Sequence, residues 1–388
     1  MRVAERVDTL PPYVFAKLGQ RIVEMKAQGK DIIRLDIGSP DLPPPDFIVD
    51  ALNQSLRDPS KHGYGGYYGT PALRRAMASY YQSRFGVRLN PDKQVAPLIG
   101  SKEGIANVAL AFVDPGQVVL VPDPGYPTYS LGTILAGGEP VRIPLLEANG
   151  FLPDLDAIPR DVARSAKILW LNYPNNPTGA VASLEFLERA VAFARRNELL
   201  VCHDNPYCDV VFDGYSAPSI LQVPDAMDVA LEFNSLSKTY NMAGWRIGMA
   251  VGSAVAVEAL ARTKTNIDSG IFLPIQDAAV VALTGDQSWL AARNEIYRER
   301  RDLILAALRD MSIDAHKPKA SLYIWARVPE GYTSAEFATQ VLDESAVSIT
   351  PGSAFGLHGE GFIRISLGMS TERIVEAMER LRQLDLKG

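Results

Sequence analysis

The amino-acid sequence predicts an α/β protein whose central sheet is mostly parallel. Short apolar runs alternate with amphipathic helical stretches through the middle of the chain, which is the pattern of strand–helix–strand units. The runs are continuously apolar, as is typical of strands buried on both faces of a sheet. The predicted strands occupy residues 95–99, 117–121, 167–172, 199–203, 229–234 and 246–251.

The helical stretches complete this layered arrangement. Residues 103–112 and 184–197 are amphipathic and are expected to cover the sheet. From about residue 289 the pattern changes to a long charged helix over 291–311, strand-like runs at 321–326 and 362–367, a helix near 334–344 and a terminal helix.

Two domains follow from this change of pattern. We predict a large domain over residues 49–287 and a smaller α+β domain formed by residues 1–48 and 288–388. A predicted helix over residues 13–28 belongs to an N-terminal arm that packs with the smaller domain.

The composition limits the classes of partner. The chain has 388 residues, 47% hydrophobic residues and a net charge of −6, without a basic stretch, so we expect a large core and no nucleic-acid partner. The first residues carry charges where a signal peptide is apolar, and no apolar run is long enough to span a membrane. Two cysteines, Cys202 and Cys208, indicate neither a disulfide framework nor a metal site. We expect a cytoplasmic protein without membrane or metal.

The segment from Asn234 to Gly248 is the most informative part of the sequence. Lys238 follows Ser235 by three residues and precedes Arg246 by eight, between two strand-like runs. A lysine beside a hydroxyl and an arginine suits an amine that bonds covalently to an aldehyde anchored next to a phosphate. Taken alone, Ser-x-x-Lys would favour a surface lysine in a connection between strands.

The segment closely resembles the lysine motif of the class I and II aminotransferases, which are fold type I enzymes that use pyridoxal 5'-phosphate (PLP). Seven motifs occur in the order of that family between about residue 11 and residue 367. The resemblance implies a seven-stranded large domain, PLP as cofactor, and a homodimer with shared active sites. It identifies Lys238 as the residue that holds the cofactor and transfers the substrate proton.

The resemblance also assigns residues to the PLP ring. Asp204, after the predicted strand 199–203, would contact the pyridine nitrogen, and an electron-withdrawing ring would result. Tyr207 and Asn176, in Asn-Pro-Thr-Gly, would bond the phenolic oxygen, and Tyr126 would stack on the ring. Without the family pattern, an aspartate at a strand end and an asparagine in a turn carry little information.

A second group would hold the phosphate. Gly100 to Gly104 follow a predicted strand and open a helix, where free backbone N–H groups bind anions. The N–H groups of Ser101 and Lys102 are expected to join Ser235 and Arg246 there. By the resemblance, Tyr64 would reach the phosphate of the neighbouring subunit.

The remaining positions concern the substrate. Gly38 and Arg364 match family residues that bind the α-carboxylate, and Asn176 is expected to contact the substrate as well. The segments around Tyr13 and over 264–276 resemble LL-diaminopimelate aminotransferases, in one branch of which a lysine at the position of Lys102 and a glutamate recognise the distal end of the substrate. Here Tyr67 replaces that glutamate.

These motifs predict an aminotransferase acting on an amino acid and a 2-oxo acid, with LL-diaminopimelate and 2-oxoglutarate in lysine biosynthesis as the favoured pair. Gly100 to Gly104 and residues 319–326 also resemble alanine aminotransferases, so alanine or aspartate remains an alternative donor. A PLP-dependent carbon–sulfur lyase could use the same scaffold. A non-catalytic regulator would need a DNA-binding module, for which the chain has neither length nor basic stretch.

Overall fold

The computed structural model describes residues 2–10 and 16–385. The strands in this part of the chain are β1 (Ile33–Arg34), β2 (Val95–Leu98), β3 (Val118–Asp123), β4 (Glu139–Pro144), β5 (Ala166–Asn172), β6 (Leu200–Asp204), β7 (Ala230–Ser235), β8 (Gly248–Gly252), β9 (Tyr323–Arg327), β10 (Val347–Ser348), β11 (Thr350–Pro351) and β12 (Phe362–Ser366).

The α-helices of the same residues are α1 (Glu5–Asp8), α2 (Ala16–Ala27), α3 (Asp46–Leu56), α4 (Pro71–Phe85), α5 (Ser101–Phe112), α6 (Thr128–Leu135), α7 (Arg160–Ser165), α8 (Leu184–Asn197), α9 (Ala226–Val229), α10 (Leu236–Thr239), α11 (Ala254–Lys264), α12 (Leu273–Thr284), α13 (Trp289–Asp310), α14 (Ser334–Ser345) and α15 (Thr371–Leu381). None of them combines the length and the apolar character that crossing a bilayer requires.

The large sheet has seven strands in the order β2-β8-β7-β6-β5-β3-β4. Strand β8 is antiparallel to both of its neighbours, and the other pairs are parallel. The carboxyl ends of the six co-directional strands and the amino end of β8 therefore lie along one edge. The α/β class, the mostly parallel sheet and the six predicted strands are confirmed.

The composition of β5 explains why helices cover both faces of this sheet. Ile168 and Trp170 belong to one buried cluster, together with Ile105 of α5 and Val257 of α11. Leu169 and Leu171 belong to another, together with side chains of α4, α8 and α12. Successive side chains of a strand point to opposite faces, so a continuous apolar run requires cover on each side.

The edge strand β4 was not among the strands predicted from the sequence. Its six residues include Pro140 and Pro144, and most of its side chains are partly or fully exposed. Proline cannot donate a ladder hydrogen bond, so it is confined to edges and strand ends. A strand with this composition lacks the apolar signal of its buried neighbours.

A second region of sheet and helix combines β1, which precedes the large sheet in sequence, with the elements that follow it. Strands β11, β12 and β9 form an antiparallel sheet, and β1 pairs in parallel with β10. Their apolar side chains form one core with α13, α14 and α15. The predicted bounds of the long helix and the two main strands differ from the observed ones by one or two residues. The predicted division at residues 48 and 287 stays a prediction.

Candidate active site

A cavity of about 450 Å³ lies at the carboxyl edge of the large sheet, and most of the predicted site residues line it. The predicted residues among its walls are Gly38, Ser101, Lys102, Tyr126, Asn176, Asp204, Tyr207, Ser235, Lys238, Arg246 and Arg364.

The sheet topology explains why these residues meet. Ser101, Asn176, Tyr207 and Lys238 each come shortly after a strand whose carboxyl end lies at this edge. Arg246 instead precedes β8, and because β8 runs in the opposite direction its amino end lies at the same edge. Ligands of open α/β sheets bind beyond the carboxyl ends of strands.

Lys238 occupies the short helix α10, and its amine donates a hydrogen bond to the carbonyl of Gly38. Burial lowers the pKa of this amine, and the cations Arg364 and Arg246 lower it further, although Tyr323 and Asp204 act in the opposite direction. A lowered pKa favours the neutral amine, which is the nucleophilic and basic form.

The main chain around Lys238 is held by a buried guanidinium. Arg293 of α13 donates to the carbonyl oxygen of Lys238 at 2.9 Å and to that of Asp209 at 2.6 Å. Asp209 lies two residues after Tyr207, so the Arg293 side chain connects two of the segments that line the cavity, α10 and the loop after β6.

Asp204 is the last residue of β6, and one of its two carboxylate oxygens has no hydrogen-bond partner among the described residues. Its Oδ2 accepts a 2.6 Å hydrogen bond from the hydroxyl of Tyr129, whose ring stacks on Trp170. Its Oδ1 is buried and has no hydrogen-bond partner among the described residues. Burial raises the pKa of this carboxyl to about 6, and the bond from Tyr129 and the charges of His203 and Lys238 limit the rise. A buried acceptor of this kind suits a ligand N–H group.

Two glycines allow hydrogen-bond donors of Arg246 and of the Ser101 backbone to lie close together. A Cβ atom on Gly100 would collide with the guanidinium of Arg246, and one on Gly248 would come within 3.0 Å of the backbone nitrogen of Ser101. The first turn of α5 and the arginine therefore approach each other closely, beside Ser235. Helix N-termini and guanidinium groups both favour anions.

These three features fit PLP. The unmet acceptor of Asp204 matches the protonated pyridine nitrogen, the donors of Ser101 and Arg246 match the phosphate, and the buried amine of Lys238 matches the aldehyde. The fit rests on the donor and acceptor types of the cavity wall.

Arg364 lies on β12, opposite the sheet edge. Its Nη1 donates to Asn176 Oδ1 at 2.8 Å, and its Nη2 donates to the carbonyl of Asp36 at 2.8 Å. The guanidinium carbon lies 4.3 Å from the centre of the Tyr323 ring and 4.7 Å from that of Phe355. Its buried Nε has no partner among the described residues, so this cation is held in place with donor capacity left for a carboxylate.

Tyr207 and Tyr126 complete the wall. The hydroxyl of Tyr207 lies 2.8 Å from that of Tyr323, and burial raises the pKa of Tyr207 well above its ordinary value. The ring of Tyr126 lies edge-on to Tyr129 at 5.7 Å. Lys102 is exposed where it lines the cavity.

One of the predicted residues that the structure describes does not line this cavity. Tyr64 is 91% exposed and lines a separate depression of about 360 Å³ with His62 and Phe272. Its predicted role in a neighbouring subunit stays a prediction. Tyr13 lies outside the described residues.

Tyr129, Tyr323 and Phe355 were not predicted as site residues. In the structure they contact Asp204, Tyr207 and Arg364, respectively. Tyr129 lies in the first turn of α6, three residues after Tyr126, which precedes the helix, and the two rings meet edge-on. Tyr323 lies within the segment 319–326 that resembled aminotransferases, so a signal for it was present.

Within the described part of the chain, no three histidine, cysteine or acidic side chains are grouped so that they could hold a metal ion. Both cysteines are buried and unpaired; Cys202 lies in β6 and Cys208 in the loop after it.

Comparison with known proteins agrees with this geometry. The family model described as aminotransferase class I and II matches residues 30–381. The LL-diaminopimelate aminotransferase of Desulforudis audaxviator is 55% identical over 98% of this chain and 97% of its own length, and that of Moorella thermoacetica is 53% identical over 99% and 98%. The apo structure of BacF from Bacillus subtilis superposes with a TM-score of 0.96 at 38% identity, covering 100% of this chain and 99% of that one. This chain therefore belongs to the class I and II aminotransferases and is a PLP-dependent transaminase.

Proposed function

We propose that the enzyme transfers an amino group from LL-diaminopimelate to 2-oxoglutarate in lysine biosynthesis. The observation that carries the substrate is the identity of 55% and 53% to relatives that bear the name LL-diaminopimelate aminotransferase and are matched over nearly their whole length. The resemblance of segment 264–276 supports the same substrate.

We propose protein partners for the pyridine nitrogen, the phenolic oxygen and the face of the cofactor ring. Bound PLP supplies an electron-withdrawing ring that stabilises negative charge at the Cα atom of the substrate. Asp204 would accept the hydrogen bond of the pyridine nitrogen through Oδ1, which supports a charged ring nitrogen. Tyr207 and Asn176 would donate to the phenolic oxygen, and Tyr126 would stack on the ring.

The phosphate would be bound by the backbone N–H groups of Ser101 and Lys102, the hydroxyl of Ser235 and the guanidinium of Arg246. Support comes from the close approach of Arg246 to Gly100 at the start of α5. Tyr64 of a second copy would add a further donor.

Lys238 would take the proton from the substrate Cα atom at its Nζ and return it on the other side of the transfer, acting as base and then as acid. Its lowered pKa supports a neutral, proton-accepting amine. Arg364, with Gly38 and Asn176, would bind the α-carboxylate and orient the Cα–H bond toward the lysine. Tyr13 and Lys102 are proposed to contact the substrate, Lys102 at its distal end.

We also propose that two copies of the chain form a homodimer with shared active sites. Tyr64, Tyr67 and Tyr68 are all more than half exposed, and Phe272, which lines the same depression as Tyr64, is exposed as well. An exposed group of aromatic side chains marks an interaction surface. A location in the cytoplasm completes the proposal and fits two unpaired cysteines.

The test is to mix the PLP-loaded enzyme separately with LL-diaminopimelate, alanine, aspartate and glutamate and to follow the cofactor absorbance. We expect rapid conversion to the amine form by LL-diaminopimelate and regeneration by 2-oxoglutarate. Faster conversion by alanine than by LL-diaminopimelate would contradict the proposed donor, and the enzyme would then be an alanine aminotransferase. Release of pyruvate and ammonia from cystathionine without an acceptor would indicate a carbon–sulfur lyase.

A further inference from the structure

Tyr323 is a buried residue of the cavity wall, 2% exposed, that lies between the two ends of the site. It is the first residue of β9 and pairs with Ser366 of β12, while Arg364 of β12 pairs with Trp325 of β9. Side chains of directly paired residues lie on one face of an antiparallel sheet, and so do residues two apart. Tyr323 and Arg364 are therefore diagonal neighbours on the face that lines the cavity.

The ring of Tyr323 supports the cation. The guanidinium carbon of Arg364 lies 4.3 Å from the ring centre, with Phe355 as a second aromatic contact at 4.7 Å. A guanidinium that is shielded from water is attracted to the face of such a ring more strongly than an exposed one. Arg364 is also tethered by hydrogen bonds to Asn176 and to the carbonyl of Asp36, so its plane is fixed.

The hydroxyl of Tyr323 lies at the end of the cavity that contains Tyr207 and Lys238. It lies 2.8 Å from the hydroxyl of Tyr207 and 3.5 Å from the carbonyl oxygen of Gly38, which also accepts from Lys238. A Cβ atom on Gly38 would collide with this hydroxyl, so the position of Tyr323 accounts for a glycine there. The charged groups facing Tyr207 are Arg364, Asp204 and Lys238.

The direction of the hydrogen bond between the two tyrosines follows from counting protons. Each phenol has one proton to donate. If Tyr207 donates its proton to the phenolic oxygen of bound PLP, it can only accept from Tyr323. The single proton of Tyr323 then goes to Tyr207, at 2.8 Å, and not to the carbonyl oxygen of Gly38, at 3.5 Å. A donor that itself accepts a hydrogen bond is polarised and donates more strongly.

We propose that Tyr323 is a positioning residue with two separable actions. Its hydroxyl donates a hydrogen bond to Tyr207, so that Tyr207 donates its own proton to the phenolic oxygen of the cofactor. Its ring holds Arg364 in the orientation that binds the substrate carboxylate. The inference rests on the proposed roles of Tyr207 and Arg364.

Two variants separate these actions. Tyr323→Phe removes only the hydroxyl, and Tyr323→Leu removes the ring as well. The readouts are kcat and KM with the preferred donor, and the pH titration of the absorbance of the bound cofactor without substrate. The control is Tyr297→Phe, because Tyr297 is a buried tyrosine of the same core whose hydroxyl has no partner among the described residues.

For Tyr323→Phe we expect the midpoint of the absorbance titration to rise by about 0.5 pH unit, the effect of one neutral hydrogen bond on a protonation constant. Its kcat falls by about three- to tenfold, and KM stays within about twofold. Tyr323→Leu shows the same rise and in addition an increase of KM of about tenfold, because the cation–ring contact is lost. Tyr297→Phe leaves all three quantities unchanged.

An unchanged midpoint in Tyr323→Phe would overturn the role of the hydroxyl. An equal KM for the two variants would overturn the role of the ring. If Tyr323→Leu does not fold, Tyr323→Met carries the ring test, because it also removes the ring while a flexible side chain fills the space, and its KM should rise about tenfold as well. The absorbance titration needs no substrate, so its result stays separate from a failure of LL-diaminopimelate as donor.

Discussion

The two ends of the cavity are built in different ways. At the cofactor end, Ser101, Asp204 and Lys238 lie at or just after strands of one sheet, and hydrogen bonding between those strands sets their spacing. At the substrate end, Arg364 reaches the carbonyl of Asp36 across 328 positions of the chain, and Tyr323 reaches Gly38 across 285. The cofactor end is thus fixed by a single sheet, whereas the substrate end depends on side-chain contacts between remote segments. We therefore expect changes at the substrate end to disturb the cofactor site little, except at Tyr323, which contacts Tyr207 as well as Arg364.

The largest expected effect is at the cofactor end. We expect Lys238→Ala to lower the transamination rate by about 10⁴-fold or more, because one amine both bonds the cofactor and transfers the proton. Single-turnover absorbance measurements check this, and the thermal midpoint of the apoprotein serves as the folding control. A rate within tenfold of the wild type would exclude Lys238 from the chemistry.

The same variant tests whether the cofactor end is completed by a second copy. Lys238→Ala mixed with Tyr64→Ala would form hybrid dimers in which one site has both residues intact. We expect the mixture to regain activity that neither variant has alone. If, after subunit exchange, the activity of the mixture only equals the sum of the activities of the two separate variants, the sites are not shared.

An intermediate effect is expected at the substrate end. Arg364→Lys keeps the charge but loses the planar fork that binds a carboxylate bidentately, so we expect kcat/KM to fall by about 10²-fold, chiefly through KM. PLP affinity should stay within about threefold. Arg300→Lys is the matched control, because Arg300 is equally buried and pairs with Asp41 outside the cavity wall. A loss of PLP affinity in Arg364→Lys would contradict the inference that the cofactor end is held independently of the substrate end.

The smallest expected effect concerns Asp204 at the cofactor end, whose ionisation makes the stability of the apoprotein depend on pH. The pKa of Asp204 is raised to about 6 in the folded protein, so its contribution to apoprotein stability is present below its unfolded pKa and is lost as pH rises through about 6. Tyr129→Phe removes a hydrogen bond that lowers this pKa, so the ionised carboxylate becomes costlier. We expect the variant to lose an extra ~1 to 2 kcal/mol of unfolding free energy at pH 8 relative to pH 5.

Urea unfolding of the apoprotein at several pH values measures this difference. Tyr173→Phe is the control, because the buried hydroxyl of Tyr173 donates to the carbonyl of Phe151 and not to a carboxylate. A destabilisation by Tyr129→Phe that does not vary with pH would show that the bond to Asp204 does not affect its ionisation.

The contrast between the ends also explains what could be predicted from the sequence. Buried parallel strands carry continuous apolar runs, so Asp204 and Lys238 could be located at strand ends from local pattern. The edge strand β4 has prolines and exposed side chains, and no local signal marked it. Tyr323 could not be assigned a role, because its contacts with Tyr207 and Arg364 exist only after distant segments pack together. Arg364 was found through family resemblance, since an arginine on a strand has no local signature of carboxylate binding.

Two buried atoms of this cavity, Asp204 Oδ1 and Arg364 Nε, have no partner among the described residues. Each unmet polar atom costs the folded apoprotein ~1 to 3 kcal/mol. A ligand that meets such atoms stabilises the folded chain in proportion to the logarithm of its concentration over its dissociation constant. The half-life of the enzyme in the cell should therefore lengthen with the supply of vitamin B6, because proteases degrade the opened apoprotein first. Nutrient status would then set the amount of enzyme through turnover, without a dedicated regulatory site.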